Sequence, residues 1–463
     1  MVSHNEGSAA PASLPKQMLV FALPIMAMNI LQLLFNAADM IVVGRFTGSE
    51  ALAAVGATGS LINLIVNLFM GLSVGATVVV ANEYGAGRYE DIRKTVHTSM
   101  AVSVISGAAV MVIGLVFCVP LLEMMGTPED IIGLSARYLD IYFLGLPGSM
   151  VYNFGAAIMR AVGDSRRPMY FLTVSGILNV FLNLFFVIVL RMGVAGVAWA
   201  TVISQYVAMA LTLLSLSRSH GPIRFELRRT AIDAQKLKGI VRIGLPAGLQ
   251  GLLFSISNVL IQSAVNSFGS VVVAASAAAS NVEGFVSTTT NAFYNAALTF
   301  TGQRMGAEDY DGIDTVAKVC AFYICVIWLL VGGATILFGP WLLEFYTTNP
   351  DVVSVGMIRL KVLMAVYFTC GAMNVFPGLT RAMGYSVLPM LCTLIGACLL
   401  RIVWLVTFFA WHPTITVLFM CYPVTWAIAG AGQVGIYFYA RHQVRKKSGM
   451  GAAASAAASV PAN

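Results

Sequence analysis

The sequence predicts an all-α polytopic membrane protein, with twelve transmembrane helices in two six-helix bundles related by a pseudo-two-fold axis along the membrane normal. Three observations lead to this fold. Of the 463 residues, 58% are hydrophobic and only 10% are charged, whereas a soluble domain carries roughly a quarter charged residues. The apolar residues form long runs, and the two halves of the chain repeat each other.

Twelve runs are long and apolar enough to cross a bilayer, which takes about 20 residues of helix. Their approximate cores are 17–43, 55–82, 95–121, 131–159, 168–190, 194–217, 240–267, 272–302, 314–339, 353–380, 385–410 and 415–440. An even number of spans places both chain termini on one side of the membrane.

The basic residues indicate which side that is. Of the 27 Lys and Arg residues, 21 fall in the gaps on the side of the termini, Arg401 lies inside a span, and five remain for the opposite side. Lys and Arg collect in cytoplasmic loops, so we expect a multi-pass protein of the cell (inner) membrane with cytoplasmic termini. The net charge of +7 is then a topology signal, and we expect no nucleic-acid partner.

The two halves of the chain share a repeat. The segments "YGAGRYEDI" and "MGAEDYDGI" match at a sequence offset of 221, and so do "RAVGDSRRPM" and "RAMGYSVLPM". Pro24 with Pro246 and Asn36 with Asn258 match at an offset of 222. Four matches at nearly one offset indicate a duplication. The predicted parts are a cytoplasmic tail (1–16), a first bundle (17–217), a cytoplasmic linker (218–239), a second bundle (240–440) and a disordered tail (441–463).

Asp39 is an acidic residue inside the first predicted span. With Asn29, Gln32 and Asn36 it forms one polar stripe at helical spacing, and lipid cannot satisfy such a stripe. Arg45, the nearest basic residue, points away from it. An intramembrane acid is a candidate functional site, although a permanently paired structural acid is the alternative. Burial favours the neutral carboxyl, so Asp39 can load and unload a proton or, when charged, hold a sodium ion or a cationic substrate.

Other polar residues extend this candidate site. Asn179 and Asn183 lie one turn apart in span five, where they either line a cavity beside Asp39 or link helices. Glu283 is a second candidate acid, or else a hydrogen-bonded glutamate near the membrane surface. The candidate cavity residues of the second half are Asn258, Gln262, Asn291 and Tyr294.

Prolines and arginines complete the set of candidates. Pro24 and Pro246 can kink the first helix of each half and are candidate hinges. Arg160 and Arg381 end spans four and ten and are candidate cytoplasmic gate residues. Arg401 either snorkels towards the interface or pairs with an acid.

The ordered motifs resemble the multidrug and toxic compound extrusion (MATE) family, bacterial type, over roughly residues 15–440. The resemblance rests on these segments: "ALPIMAMNILQLLFNAADMIVVGRFTGSEALAAVG", "ANEYGAGRYEDI", "RAVGDSRRP", "LNVFLNLFFVIVLRMGVAGVAWATVIS", "IGLPAGLQ", "SNVEGF", "TRAMGYSVLP" and "YPVTW". It implies a cation-coupled antiporter in which protons or sodium ions enter while cationic or amphipathic compounds leave. The first-span aspartate of the family matches Asp39. The sodium-binding acids that some members carry in spans seven and ten have no match here.

Two functions other than export are compatible with a membrane protein of this kind. A lipid-linked precursor flippase shares the duplicated architecture, but it predicts a strongly cationic cavity, whereas the inner stripes found above are acidic and amide-rich. A membrane-embedded enzyme or receptor needs a metal or nucleophile cluster or an external ligand-binding domain, and the sequence offers none of these. We therefore expect a transporter rather than an enzyme, with no cofactor or metal beyond the coupling ion, small-molecule substrates and a monomeric state.

Overall fold

The computed structural model describes residues 13–124, 127 and 129–458, and nearly all of these residues are helical. The helices are α1 (Leu14–Phe46), α2 (Ser49–Gly85), α3 (Tyr89–Met124), α4 (Glu129–Ala161), α5 (Arg166–Val189), α6 (Val194–Arg218), α7 (Ala234–Asn266), α8 (Ser270–Gly306), α9 (Tyr310–Leu337), α10 (Gly339–Glu344), α11 (Pro350–Met364), α12 (Tyr367–Ala382), α13 (Val387–Phe409) and α14 (Ile415–Ala458). Eleven of the described helices are long and apolar enough to span a membrane, or twelve when α11 and α12 count as one bent span. The predicted fold class is confirmed.

One span is broken, which the sequence did not predict. The axes of α11 and α12 differ by 55°, and Val366 between them leaves the helical region with φ −127° and ψ 25°. The break frees a backbone carbonyl, and the indole Nε1 of Trp328 on α9 donates to the carbonyl oxygen of Met364 at 2.9 Å. A side chain of a neighbouring helix thus satisfies the backbone group that the bend exposes.

The first helix of each half crosses from one half to the other. Met18 and Phe21 at the start of α1 pack in the apolar cluster of the second half, whereas Val42 and Val43 near its end pack in a cluster of the first half. In the same way, Leu237 at the start of α7 packs against first-half residues. The predicted hinges Pro24 and Pro246 lie inside these two continuous helices.

A pseudo-symmetric pair of amides joins the two halves. Asn82 Nδ2 donates to the carbonyl oxygen of Ala382 at 3.2 Å, and Gln303 Nε2 donates to that of Ala161 at 2.8 Å. Both donors and both acceptors are related by the same sequence offset as the two repeated motifs. The two hydrogen bonds therefore exchange under a pseudo-two-fold axis that runs between the halves.

Glycines let the halves approach closely next to these amides. α2 carries Gly71 and Gly75, and α7 carries Gly244 and Gly248. A Cβ atom at Gly71 would lie 2.2 Å from the backbone nitrogen of Gly248, and one at Gly75 would lie 2.1 Å from the oxygen of Ile240. Small residues four apart allow helix backbones in membranes to touch. We call this contact between the halves, from Leu68 of α2 to the amide pair, the seam.

The start of α1, the end of α14 and the amide pair lie on the same side of the bundle, here called the terminal side. The linker between the bundles packs there against the first half: the backbone nitrogen of Asp233 donates to Thr98 Oγ1 at 3.0 Å. Lys236 at the start of α7 contacts Glu83 Oε1 at 2.7 Å and Asp91 Oδ1 at 3.0 Å. This ion-pair cluster ties the second half to α2 and α3.

The predicted disordered tail is helical for most of its length. α14 continues to Ala458, so the expectation of disorder from residue 441 is wrong for 441–458; residues 459–463, like 1–12 of the predicted N-terminal tail, lie outside the described residues. Arg441 Nη2 donates to Asp314 Oδ2, and Arg445 Nη2 lies 2.8 Å from the same oxygen. These contacts with α9, together with a run of strongly helix-forming alanines, account for the extension.

Candidate functional site

The halves are joined on the terminal side and separate towards the opposite side. Among the described residues, the hydrogen bonds between the halves run from mid-helix to the terminal side. The contacts furthest from that side link Asn29 to the carbonyl oxygen of Thr288 at 3.3 Å and Asn67 to Ser255 at 3.4 Å. Beyond them, the pseudo-equivalent side chains of Asn36 and Asn258 are both exposed. The candidate site is this space between the halves.

Asp39 lies on the first-half wall of that space. Asn183 on α5 is fully buried, and its Nδ2 donates to Asp39 Oδ1. The same Nδ2 lies 3.3 Å from Asn179 Oδ1, and Asn179 Nδ2 lies 3.4 Å from Thr201 Oγ1 on α6. The structure thus brings the predicted residues Asp39, Asn179 and Asn183 into one network across three helices.

The Asp39 carboxyl has a neutral partner. None of the ion pairs found among the described residues includes Asp39. The oxygen Oδ1 of Asn183 is buried and has no hydrogen-bond partner within the described part of the chain. An acceptor of this kind beside a carboxyl is satisfied when the acid is protonated and donates, or when a cation binds to both oxygens. The geometry therefore suits a group that exchanges a proton or an ion.

Apolar and aromatic side chains surround this end of α1. Val42 and Val43 pack in one cluster with Tyr138 of α4 and Val187 of α5. The rings of Tyr138 and Tyr142 stack with their centroids 5.8 Å apart. Such a wall keeps water away from the carboxyl and strengthens the electrostatic interactions there.

The second-half acid has a charged partner instead. Glu283 Oε2 lies 3.2 Å from Arg359 Nη2, with 17% and 7% of the two side chains exposed. Arg359 Nη1 also donates to Ser276 Oγ. Glu283 is therefore neither a free acid nor only a hydrogen-bonded glutamate, but one partner of a mostly buried ion pair.

Two further arginines make the second half basic. Arg401 is fully buried; it neither snorkels nor pairs with an acid, because its Nη1 donates to Ser257 Oγ at 3.2 Å and to Asn258 Oδ1 at 2.8 Å. Arg381, 5% exposed, is bound by neutral groups. The sequence-based argument that the inner surfaces are acidic and amide-rich thus holds for the first half only.

The predicted gate and cavity residues are placed as follows. Arg381 donates to the hydroxyl of Tyr294 at 2.7 Å and to Gln250 Oε1 at 2.6 Å, so its side chain points into its own half. In the seam, the acceptors are the carbonyl oxygens of Ala161 and Ala382, the residues that follow Arg160 and Arg381. Asn291 Oδ1 accepts from Asn29 at 3.4 Å, and Gln262 Nε2 donates to Asn266 Oδ1 at 2.9 Å.

Sequence reasoning missed the arginine that pairs with Glu283 and the amides of the seam. Arg359 lies inside the predicted span 353–380, and a charge within an apolar run was the available signal. The count of basic residues instead placed Arg359 among the five on the side opposite the termini. Asn82 and Gln303 stand at equivalent positions of the repeat, inside "ANEYGAG" and "TGQRMGA". Applying the repeat to polar residues would have found them.

Two helix bundles related by a pseudo-two-fold axis, with a polar site in the space between them, define a membrane transporter. The model of the MatE family matches residues 24–185 and 246–407, two segments that begin at the repeated prolines Pro24 and Pro246. The chain belongs to this family, the multidrug and toxic compound extrusion transporters.

Individual relatives agree with this assignment. The probable multidrug resistance proteins YpnP and YoeA, both of Bacillus subtilis (strain 168), are similar to the chain. YpnP is 29% identical over 400 residues, which cover 86% of this chain and 88% of that protein. YoeA is 28% identical over 387 residues, covering 81% and 82%. The crystal structure of the Vibrio cholerae MATE transporter VcmN in the bent form has the same fold, with a TM-score of 0.85 and 22% identity over 94% of this chain and 98% of that chain.

Proposed function

We propose that the protein is a cation-coupled antiporter that exports organic compounds by alternating access between its two halves. The observation that carries the proposal is the Asp39 carboxyl, which has an amide partner, Asn183, and forms no ion pair with a basic side chain among the described residues. An uncompensated acid within a membrane span is expensive. It is satisfied when a proton or a sodium ion binds, and it loses that ion when its surroundings change.

Alternating access needs a second conformation, which forms when the halves separate at the seam. The halves touch at the seam through glycines, two amide–carbonyl bonds and, at its terminal end, the ion pairs of Lys236. These contacts can separate without unfolding either half. With the terminal side in the cytoplasm, as the basic residues indicate, the structure corresponds to a state open to the outside. Protonation or cation binding at Asp39 then favours one packing of the halves over the other.

The proposed setting follows from the same features. The protein lies in the cell (inner) membrane with both termini in the cytoplasm and works as a monomer, because each half supplies one wall of the site. Its coupling ion is H⁺ or Na⁺, and it uses no other cofactor or metal. Its substrates are cationic or amphipathic small molecules, which suit an acid beside an apolar and aromatic wall.

The test is export of ethidium from proteoliposomes under a proton gradient and, separately, a sodium gradient. We expect one gradient to drive export in the wild type, and Asp39→Asn to abolish that export. The matched control is Asp130→Asn, an exposed acid at the start of α4, which should export at the wild-type rate. Gradient-driven export that continues in Asp39→Asn would contradict the role proposed for this carboxyl.

A lipid-linked precursor flippase is the second candidate. The buried arginines of the second half favour it, because they supply part of the positive charge that a pyrophosphate head group needs. It predicts that ethidium is not exported under either gradient, and that the purified protein moves a lipid-linked pyrophosphate between bilayer leaflets. The amide-bound acid of the first half has no role in that reaction, and for this reason we prefer the antiporter.

A further inference from the structure

The second half contains a buried cluster with more positive than negative charge. Arg359 on α11 and Arg401 on α13 flank the ring of Tyr422, with their Cζ atoms 5.4 and 4.9 Å from its centroid. Glu283 is bound to the first of these guanidinium groups. Two cations and one carboxylate leave one positive charge without a counter-charge, and it belongs to Arg401.

The guanidinium of Arg401 is also short of hydrogen-bond acceptors. Its acceptors, Ser257 Oγ and Asn258 Oδ1, are neutral, and both bind Nη1. Among the described residues, its buried Nε and Nη2 have no hydrogen-bond partner, which leaves three of its five N–H groups without an acceptor. The faces of Phe254 and Tyr422, at 5.0 and 4.9 Å from Cζ, stabilise the cation without supplying an acceptor.

Arg401 lies one side chain away from the space between the halves. The stripe of α7 that carries Gly251 and Ser255 faces Asn67 of the first half. One turn further from the terminal side, the same stripe carries Asn258, which is exposed and accepts from Arg401. Rotation of the Asn258 amide would let an anionic oxygen take its place at the guanidinium.

We propose that Arg401 binds a carboxylate or phosphate group of the exported compound, so that the substrates include zwitterionic and anionic amphiphiles. A planar guanidinium binds both groups with two parallel hydrogen bonds. The guanidinium lies behind Asn258, which faces the same space as Asp39. A zwitterion that displaces the Asn258 amide can therefore place an anionic group near the second half and a cationic group near the first. This inference rests on the proposed export function and specifies its substrate class.

The probes are a rhodamine dye with a free carboxylate and its methyl ester, which differ in one negative charge. Their binding to the purified full-length chain in a non-ionic detergent is measured by fluorescence anisotropy. We expect the wild type to bind the free acid about tenfold or more tightly than the ester, because hydrogen bonds to charged groups are the strong ones. Arg401→Gln should lose this preference and still bind the ester.

Two variants separate binding from folding. Arg401→Lys keeps the charge and should keep part of the preference, and Arg228→Gln, at an exposed position of the linker, should behave as the wild type. Equal affinities of the wild type for the two dyes would overturn the proposal. The proposal would also be overturned if Arg401→Gln elutes as a folded, monodisperse protein and still prefers the free acid to the ester.

Transport distinguishes a substrate from a lipid head group. If the wild type exports the free acid from phosphatidylcholine vesicles and Arg401→Gln does not, the bound compound is a transported substrate. Competition by phosphatidylglycerol in the wild type, with no export of the free acid, would overturn that assignment and give the site to a lipid.

Two further outcomes distinguish this inference from the proposed function. Export of both dyes at equal rates would support the antiporter and contradict the role of Arg401. Charge-dependent binding without export of either dye would contradict the antiporter.

Discussion

Two intramembrane acids of this protein differ in the partner that each has acquired. Asp39 is bound by an amide, whereas Glu283 is bound by the guanidinium of Arg359. The carboxylate of a buried ion pair supplies the counter-charge of its guanidinium partner, and its loss leaves that guanidinium uncompensated. An amide imposes no such penalty. We therefore assign ion exchange to Asp39 and a structural role to Glu283.

A double-mutant cycle tests the role of the Glu283–Arg359 pair. Glu283→Gln alone leaves a buried guanidinium without a counter-charge and should lower the free energy of unfolding by about 3 kcal/mol. Combining it with Arg359→Met removes both charges and should recover most of this loss. The measurement is unfolding in mixed micelles for the wild type, both single variants and the double variant. Losses that simply add would contradict a coupled pair.

The residue scale is where sequence reasoning was least complete. The stripe of Asn29, Gln32, Asn36 and Asp39 could be found because helical spacing exposes a polar face in an apolar run. The partner of an acid could not be found, because Asn183 and Arg359 meet their acids through packing across 144 and 76 residues of chain. Only the charge of Arg359 inside a span indicated that it needed a partner.

At the scale of elements, the crossing of α2 and α7 determines how closely the halves approach. Gly71 and Gly75 face Gly244 and Gly248, and any side chain at these positions meets backbone rather than a flexible side chain. Backbone cannot retreat without moving a whole helix. The seam is therefore sensitive to single methyl groups.

Gly71→Ala should weaken the closed seam. Its Cβ atom would lie 2.2 Å from the backbone nitrogen of Gly248, so the helices must separate. We expect less cross-linking between cysteines placed at Ala86 and Ala307, the residues that follow α2 and α8 at the seam. The background is Cys325→Ser, which removes the exposed cysteine of the described chain. Gly59→Ala is the matched control: on the same helix it meets nothing within 4 Å and should gain up to about 1 kcal/mol from helix propensity. Equal cross-linking in both variants would contradict the role of the seam.

The spans themselves were predictable, because about 20 apolar residues in sequence require a helix across the bilayer. The bend between α11 and α12 was not. It depends on Trp328, 36 residues away, whose indole donates to the freed carbonyl of Met364. The extension of α14 was missed for a similar reason, since Arg441 and Arg445 find Asp314 only after the bundle has formed.

For the whole molecule, the duplication predicted the symmetry before any contact was known. The sequence offset that relates the repeated motifs also relates Asn82 to Gln303 and Ala161 to Ala382, the four residues of the amide pair. What the repeat could not predict is which side is closed, because both packings of two similar bundles obey the same pattern. The halves also differ in charge: Asp39 of the first half is bound by an amide, whereas Arg359 and Arg401 lie buried in the second half.

Alternating access requires the seam to open and close during export, and a cross-link across the seam blocks that movement. Cysteines at Ala86 and Ala307, on either side of the axis, are joined by a short bifunctional thiol reagent with a cleavable spacer in the Cys325→Ser background. The control pair, at Asp311 and Arg445, joins two positions within the second half that are already in contact. We predict that joining the seam pair stops ethidium export, that cleaving the spacer restores it, and that the control pair has no effect. Export at the wild-type rate with the seam pair joined would contradict the account.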